Sequence, residues 1–165
     1  MEQKFFADTM LGKLARWLRV VGCDVAYKPL LDDAELVARA REEGRLILTR
    51  DTLLIRRRWA REHHLFVVGD HWRDQLRQVV TALGIDPFRR FLTRCLECNE
   101  PLRDMDRMKV AQRVPPYVHD TREQFRECLA CGRIYWGGTH REGMVMELEK
   151  LLGEWRWRDS RFRGE

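Results

Sequence analysis

Two pairs of cysteines, Cys95-Leu-Glu-Cys98 and Cys128-Leu-Ala-Cys131, restrict this chain more than any other feature. A two-residue spacer lets both sulfurs of a pair face one ion, and Zn²⁺ takes four thiolates in a tetrahedron. The residues that follow the pairs, Asn99 and Gly132, are types that tolerate the left-handed backbone of a tight knuckle. The 29 residues between the pairs exceed the roughly 15–20 of common zinc ribbons, but a longer loop adds little closure entropy. A redox dithiol needs only one pair, and an iron–sulfur cluster is the other alternative. Two near-identical CLxC units favour zinc. With cysteine at all four positions no coordination site stays open for water, so this metal is expected to hold structure and not to catalyse.

The setting follows from what accompanies the cysteines. The N-terminus, MEQKFFADTM, lacks the basic start and long apolar run of a secretory signal. Paired CxxC motifs without export are metal ligands more often than disulfides. A cytoplasmic location is therefore expected. No stretch approaches the roughly 20 apolar residues that span a bilayer, so no membrane partner is expected. Of the 165 residues, 44% are hydrophobic, enough for a real core, and 31 Lys and Arg stand against 26 Asp and Glu. That mild excess favours a polyanionic partner without establishing one.

The first 85 or so residues alternate short apolar runs with amphipathic stretches. Lys4 to Ala7, Val25 to Tyr27, Leu46 to Thr49 and Leu65 to Val68 read as strands. Leu11, Leu14, Ala15, Leu18 and Val21 recur at helical intervals over Met10 to Val21, and Gly22 supplies the stop. Asp32 with Glu35 has capping-box spacing, so a helix is expected over about 33–43, closed by Gly44. Further helices are expected near Thr52 to Glu62 and from Arg73 to Leu83, the latter closed by Gly84. Fourfold strand–helix alternation implies an α/β domain with a mainly parallel sheet. The pattern breaks near Asp86-Pro87. Beyond the first cysteine pair come a Pro115-Pro116 turn, an aromatic strand at Ile134 to Trp136 and a helix over Glu142 to Leu152. The expected division is 1–92, a small metal ribbon at 93–152, and a basic tail at 153–165 with Trp155 and Trp157.

The acids stand in telling places. Asp8 follows the first strand, Asp33 opens the helix after the second, Asp51 follows the third, and Asp70 follows the fourth. In a parallel sheet these positions share the carboxyl edge, where open α/β folds bind ligands. Carboxylates crowded there repel one another unless cations neutralise them. Hard divalent ions, Mg²⁺ or Mn²⁺, suit all-oxygen ligands and support displacement at phosphorus. Simpler readings stand beside this one: Asp32 as the helix cap, Asp33 as a first-turn acid favoured by the helix dipole, and Asp70 as the cap of the next helix. Asp8 and Asp51, directly beyond apolar strands, fit function better.

Lys13, Arg16 and Arg19 recur at three-residue spacing after Asp8, and Arg50 adjoins Asp51. These cations either hold backbone phosphates or form a solvated face. Arg56-Arg57-Arg58 reads as surface charge. His140, in Gly-Gly-Thr-His beyond the second knuckle, is a candidate substrate contact, with structural hydrogen bonding as the alternative. There is no GxGxxG or GxxxxGK[ST] loop, which argues against dinucleotide and ordinary triphosphate chemistry. The one serine, Ser160 in the tail, argues against a Ser-His-Asp hydrolase. Cys23 reads as buried packing. Trp17, Trp59 and Trp136 read as core or interface.

The segments FFADTMLGKLARWLRVVGCD, DDAELVARAREEGRLILTRD, and CLECN with CLACGRIYWGGTH resemble the Mut-seven C-terminal ribonuclease family over roughly residues 4–152. The resemblance implies a PIN-like three-layer fold with an appended zinc ribbon. It also implies an acidic Mg²⁺ or Mn²⁺ site that hydrolyses RNA phosphodiesters. It carries Asp8, Asp33 and Asp51 to the metal-binding and catalytic acids, with Asp70 a less closely matched fourth. Lys13 matches a family lysine that would contact phosphate, and Cys95, Cys98, Cys128 and Cys131 match the zinc ligands. Arg141 stands where an aromatic residue is expected. The expected partner is RNA, with ribosome or tRNA as open choices. Oligomeric state is left open. The rival expectation is a non-catalytic RNA- or ribosome-binding protein with a vestigial acidic pocket, and a receiver-like phosphoacceptor is a remote third.

Overall fold

A computed structural model describes residues 3–153; the Trp- and Arg-rich tail lies outside the described residues. The chain divides into two compact units, one ending at Pro101 and the other beginning at Leu102.

The first unit is a four-stranded, wholly parallel sheet in the order β2-β1-β3-β4. Its strands are β1 (Lys4–Ala7), β2 (Asp24–Tyr27), β3 (Leu46–Thr49) and β4 (His64–Phe66). The helices are α1 (Gly12–Val20), α2 (Asp33–Glu42), α3 (Arg58–Glu62) and α4 (Trp72–Leu83). From β1 the chain crosses to one side and then back over, so right-handed crossovers put α1 on one face and α2 and α3 on the other. The packing agrees: α1 lies against α4, and α2 against α3.

Side-chain alternation along the strands fills both layers. Phe6 is in register with Ala26 and Ile47, and all three join Leu36, Ala40, Leu54 and Ala60 in one core cluster. One residue earlier, Phe5 is in register with Val25 and Leu46, and Phe5 and Val25 are fully buried. Strands buried on both faces are why these runs are nearly continuous apolar sequence.

Several elements differ locally from the sequence expectation. The first helix is preceded by a 3-10 turn, Thr9–Leu11, and becomes α-helical only at Gly12. Asp8 accepts from Thr9 N–H and tightens this entry. A side chain at Gly12 would meet the Tyr27 ring, whose hydroxyl Oη and Cζ lie 2.7 and 2.8 Å from the Cβ position. The single helix expected near Thr52 to Glu62 is instead a 3-10 turn, Leu54–Arg56, and the five-residue α3. Extended Arg57 (φ −66°, ψ 132°) separates them. β4 begins at His64, and only His64–Phe66 is strand, so the expected Val68 falls beyond it. Asp32 caps α2 by accepting from Glu35 N–H at 2.9 Å, and Gly84 ends α4 at φ 62°, both as expected.

The second unit has an antiparallel sheet, β5-β6-β7, of β5 (Arg103–Met105), β6 (Phe125–Glu127) and β7 (Ile134–Trp136). Between β5 and β6 stand α5 (Arg107–Val110) and α6 (Pro116–Thr121). Pro116 opens α6 and does not merely form a turn, because a missing N–H is harmless in a first helical turn. This insertion accounts for the wide spacing between cysteine pairs. It brings Val110, Val114 and Val118 against Phe125, with Met105 and Ile134, as a separate core. α7 (Thr139–Leu152) begins three residues before the expected Glu142. Among the described residues no helix is long and apolar enough to cross a membrane.

Candidate functional site

The strand order places a topological switch point between β1 and β3, where the connections leave in opposite directions. In open α/β folds the ligand crevice lies at such a point, beyond the carboxyl ends of the strands. Asp8 leaves β1 there, its N–H donating to Leu48 O of β3 at 2.9 Å. Its side chain is 4% exposed. Asp8 Oδ2 accepts from the Thr49 hydroxyl at 2.7 Å. The same hydroxyl oxygen accepts from Asp51 N–H at 2.9 Å. Thr49, fully buried at the end of β3, thus fixes both acids with one oxygen. Thr49 is not among the candidate site residues that the sequence points to. Its signal is the threonine that closes the strand within Thr49-Arg50-Asp51.

Asp51 Oδ1 accepts from the backbone N–H groups of Leu53 (2.7 Å) and Leu54 (3.3 Å), which turns the carboxyl group and shapes the 3-10 turn after it. Asp33, half-buried in the first turn of α2, completes the group. Burial pushes the Asp33 carboxyl above the usual range, and the negative charges of Asp51 and Asp8 push it further, opposed in part by Arg57. The three acids, distant in sequence, therefore share one electrostatic neighbourhood. None of them is engaged in an ion pair among the described residues.

Their chemistry fits a hard divalent cation: three carboxylates, mutually repelling, on a buried framework, with oxygen as the only donor type. Asp70 lies beyond β4 at the same edge, but it is 84% exposed and paired with Arg50. His71 and not Asp70 occupies the N-cap of α4. Lys13 is exposed in the first turn of α1, its Nζ 5.5 Å from the Trp72 ring centre. Trp17 stacks on Trp72 at 4.5 Å and 9°, half-buried between α1 and α4. Arg16 pairs with Glu97.

Arg19 departs from the expectation of a phosphate contact or a solvated face. It is 6% exposed, and its guanidinium donates to Val25 O, Leu96 O and Glu97 O at 2.9–3.1 Å. Burial lowers its pKa from the ordinary value, while Cys95, Glu97 and Cys98 favour its charge. It is a structural cation beneath the first cysteine knuckle. His140 is exposed in the first turn of α7, in the second unit. Cys23 is buried, which pushes its thiol up to about 12, so it is packing and not a nucleophile, as expected.

Both knuckles have the expected backbone. Asn99 (φ 67°) and Gly132 (φ 72°) are left-handed, and their N–H groups donate to Cys95 O (3.0 Å) and Cys128 O (2.8 Å). Cys98 N–H points at Cys95 Sγ, 3.4 Å away. The sulfurs of Cys95, Cys98, Cys128 and Cys131 all lie within 4.8 Å of one another. Tetrahedral Zn–S bonds of about 2.3 Å put sulfurs about 3.8 Å apart, so the set fits zinc. Arg19 suits it too, since four thiolates around Zn²⁺ carry net negative charge.

No curated protein and no solved structure matches the chain. A family model does: that of the Mut7-C RNAse domain aligns with residues 3–148, covering the parallel sheet, its acidic edge and both cysteine knuckles. By that match the chain belongs to the Mut7-C RNAse domain family.

Proposed function

We propose that this protein is a metal-dependent endoribonuclease that hydrolyses RNA phosphodiester bonds at the β1–β3 crevice. The observation that carries the reading is geometric: Thr49 ties Asp8 and Asp51 together at the carboxyl edge, and Asp33 stands close enough that both acids add to the rise that burial gives its carboxyl. A ribonuclease-type family is consistent with it. Asp8, Asp33 and Asp51 would hold Mg²⁺ or Mn²⁺, which when bound supplies charge neutralisation at phosphorus and activation of water. The chain's own part is to keep those oxygens converged. Thr49 locks Asp8 and Asp51 relative to each other, and the Leu53 and Leu54 N–H groups fix the Asp51 Oδ1 edge. Lys13 and Arg57 supply positive charge for backbone phosphates. Asp70 would join only by exchanging Arg50 for the ion, and Arg50 would then be released toward RNA. The four cysteines would hold zinc as a structural ion, since a set of four thiolates leaves no position open for water.

The test is incubation of labelled single-stranded and structured RNA with the zinc-loaded protein, with and without Mn²⁺. The double change Asp8→Asn and Asp51→Asn should reduce cleavage by at least about 10²-fold, the weight of several kcal/mol of lost metal assistance. RNA affinity should hold or rise, since negative charge is removed. Cleavage that persists in the double variant would place the activity elsewhere. RNA binding by the wild type without any cleavage would make the acidic crevice vestigial.

A further inference from the structure

Among the described residues of the first unit, the large hydrophobic side chains that stand exposed are Met10 (66%), Leu30 (99%), Leu53 (62%) and Val68 (64%). Each lies in the segment that follows a different strand: Met10 after β1, Leu30 after β2, Leu53 after β3 and Val68 after β4. Because the strands are parallel, all four segments leave from one edge of the sheet, the edge that carries Asp8, Asp33 and Asp51. The opposite edge contributes none of these exposed side chains. Isolated exposed apolar residues are ordinary, whereas one on every loop of a single edge marks a binding surface. Leu30 is also held at φ 62°, a left-handed conformation unfavourable for a side chain with a Cβ, and its near-complete exposure offers no packing in return.

Exposed cations stand on the same segments, Lys28 after β2 and Arg57 after β3, and Lys13 in the first turn of α1; Arg57 acts directly on Asp33. Apolar side chains, cations and a phosphate-processing centre on one edge complement a nucleic acid strand with its bases turned out. A second copy of the chain would set one acidic trio against another. Across four strands spaced about 4.8 Å apart the edge is about 14 Å wide, no more than about four nucleotides at the stacked rise of about 3.4 Å.

We propose that Met10, Leu30, Leu53 and Val68 form an apolar collar that grips the nucleobases flanking the scissile phosphate, so that the RNA accepted must present unpaired bases there. This rests on the reading of the acidic trio as an RNA-cleaving centre. In a duplex the bases are stacked inside and the collar would meet ribose and phosphate, desolvating polar groups against leucine and methionine. In a single strand each base offers a flat apolar face, a contact that tolerates sequence.

The experiment compares a labelled 12-nucleotide RNA with the same strand annealed to its complement. Fluorescence anisotropy is read on the full zinc-loaded chain without added Mg²⁺ or Mn²⁺, so that binding is measured apart from cleavage. The double change Leu30→Ser and Leu53→Ser should weaken single-strand binding about 10-fold or more, the loss expected when a leucine side chain no longer buries its apolar area against a base. Duplex binding should move less than about 2-fold. The control Met108→Ser with Met146→Ser, exposed on the second unit, should change neither. Equal losses for both RNAs, or no loss for the single strand, would overturn the collar. So would a wild-type dimer that the collar variant dissociates on size-exclusion chromatography, because a second copy would then occupy the face. The two readings fail separately. Selective loss of single-strand binding in a protein that never cuts with Mn²⁺ upholds the collar as an RNA surface and removes only the catalytic reading.

Discussion

Asp24 and Asp33 flank the same strand, nine residues apart, and the fold treats their carboxyl groups in opposite ways. Asp24, at the amino end of β2, is 8% exposed and fully paired. It accepts from Arg45 at 2.6 Å and Asn99 Nδ2 at 2.7 Å, with Arg94 3.5 Å away. Burial works against its charge, but the hydrogen bonds from Arg45 and Asn99 and the two guanidinium charges prevail, and its pKa falls below the usual carboxylate range. Asp33, at the carboxyl edge, is less buried, yet its pKa rises: burial raises it, and Asp51 and Asp8 add to that rise where Asp24 has guanidinium groups to reverse it. Burial alone does not decide what a carboxylate is for; the sign of its neighbours does. One end of the strand is closed by compensated charge, and the other is left negative, as a cation site requires.

The largest expected effect tests the closed end. Asp24→Ala removes the carboxylate that Arg45 and Arg94 share, their side chains being 11% and 10% exposed, and leaves Arg45 with Glu43 alone. Removing one partner of a buried pair costs about 3–5 kcal/mol, a large part of the roughly 5–15 kcal/mol that holds a domain folded. The urea midpoint should fall accordingly, or the protein should fail to accumulate. Asp33→Ala should leave the midpoint nearly unchanged while abolishing cleavage. Similar losses from both would erase the distinction between a structural and a functional acid.

How much of this is visible in sequence depends on how far away the deciding partner is. Leu46 to Thr49 reads correctly as a strand, and Asp32 as a cap, because strand propensity and capping act within a few residues. The convergence of Asp8, Asp33 and Asp51 follows from strand–helix alternation alone, since every strand end in a parallel sheet shares an edge. Arg19 illustrates the limit. Its spacing from Arg16 matches that of Arg16 from Lys13, and the carbonyls that hold it come from the next strand, at Val25, and from residues 77 and 78 positions later. The expected helix at 52–62 is broken by a side chain just before it, since Asp51 bonds to Leu53 and Leu54 N–H and Arg57 turns extended. The position of Thr49 between two acids requires both strands in register, which no local pattern shows.

A middle-sized effect is expected from Asn99, the residue that joins the closed end to the first knuckle. Its Oδ1 accepts from Val25 N–H at 2.9 Å on the outer edge of β2, and its Nδ2 donates to Asp24. Edge strands expose unpaired backbone groups, and here a side chain does the pairing. Asn99→Gly keeps the left-handed backbone (φ 67°) and deletes only these bonds. The loss should be about 1–3 kcal/mol, the range for leaving buried partners unsatisfied. Hydrogen exchange should show the Val25 amide losing protection. If Val25 stays protected, the knuckle is not what closes that edge.

The smallest effect is one of sign, and it sets the two acids directly against each other. Asp24, with a lowered folded pKa, contributes stability that is present above its unfolded value of about 3.9 and is lost as pH falls through the folded one. Asp33, with a raised folded pKa, contributes stability that is complete below its unfolded value and is lost as pH rises through the folded one. In zinc-loaded protein without added Mg²⁺ or Mn²⁺, Asp33→Asn should therefore remove a loss that the wild type suffers as pH climbs out of the acid range. The gain should be below about 1 kcal/mol, because solvent screens a half-exposed group. Added Mn²⁺ should reverse the order, favouring the wild type, because the cation selects the ionised carboxyl and binds only the folded chain. Urea midpoints across pH, with and without Mn²⁺, measure both halves. A wild type that does not gain on the variant when Mn²⁺ is added would mean that the repulsion around Asp33 is not relieved by a cation, and the open end of β2 would lose its reason to be open.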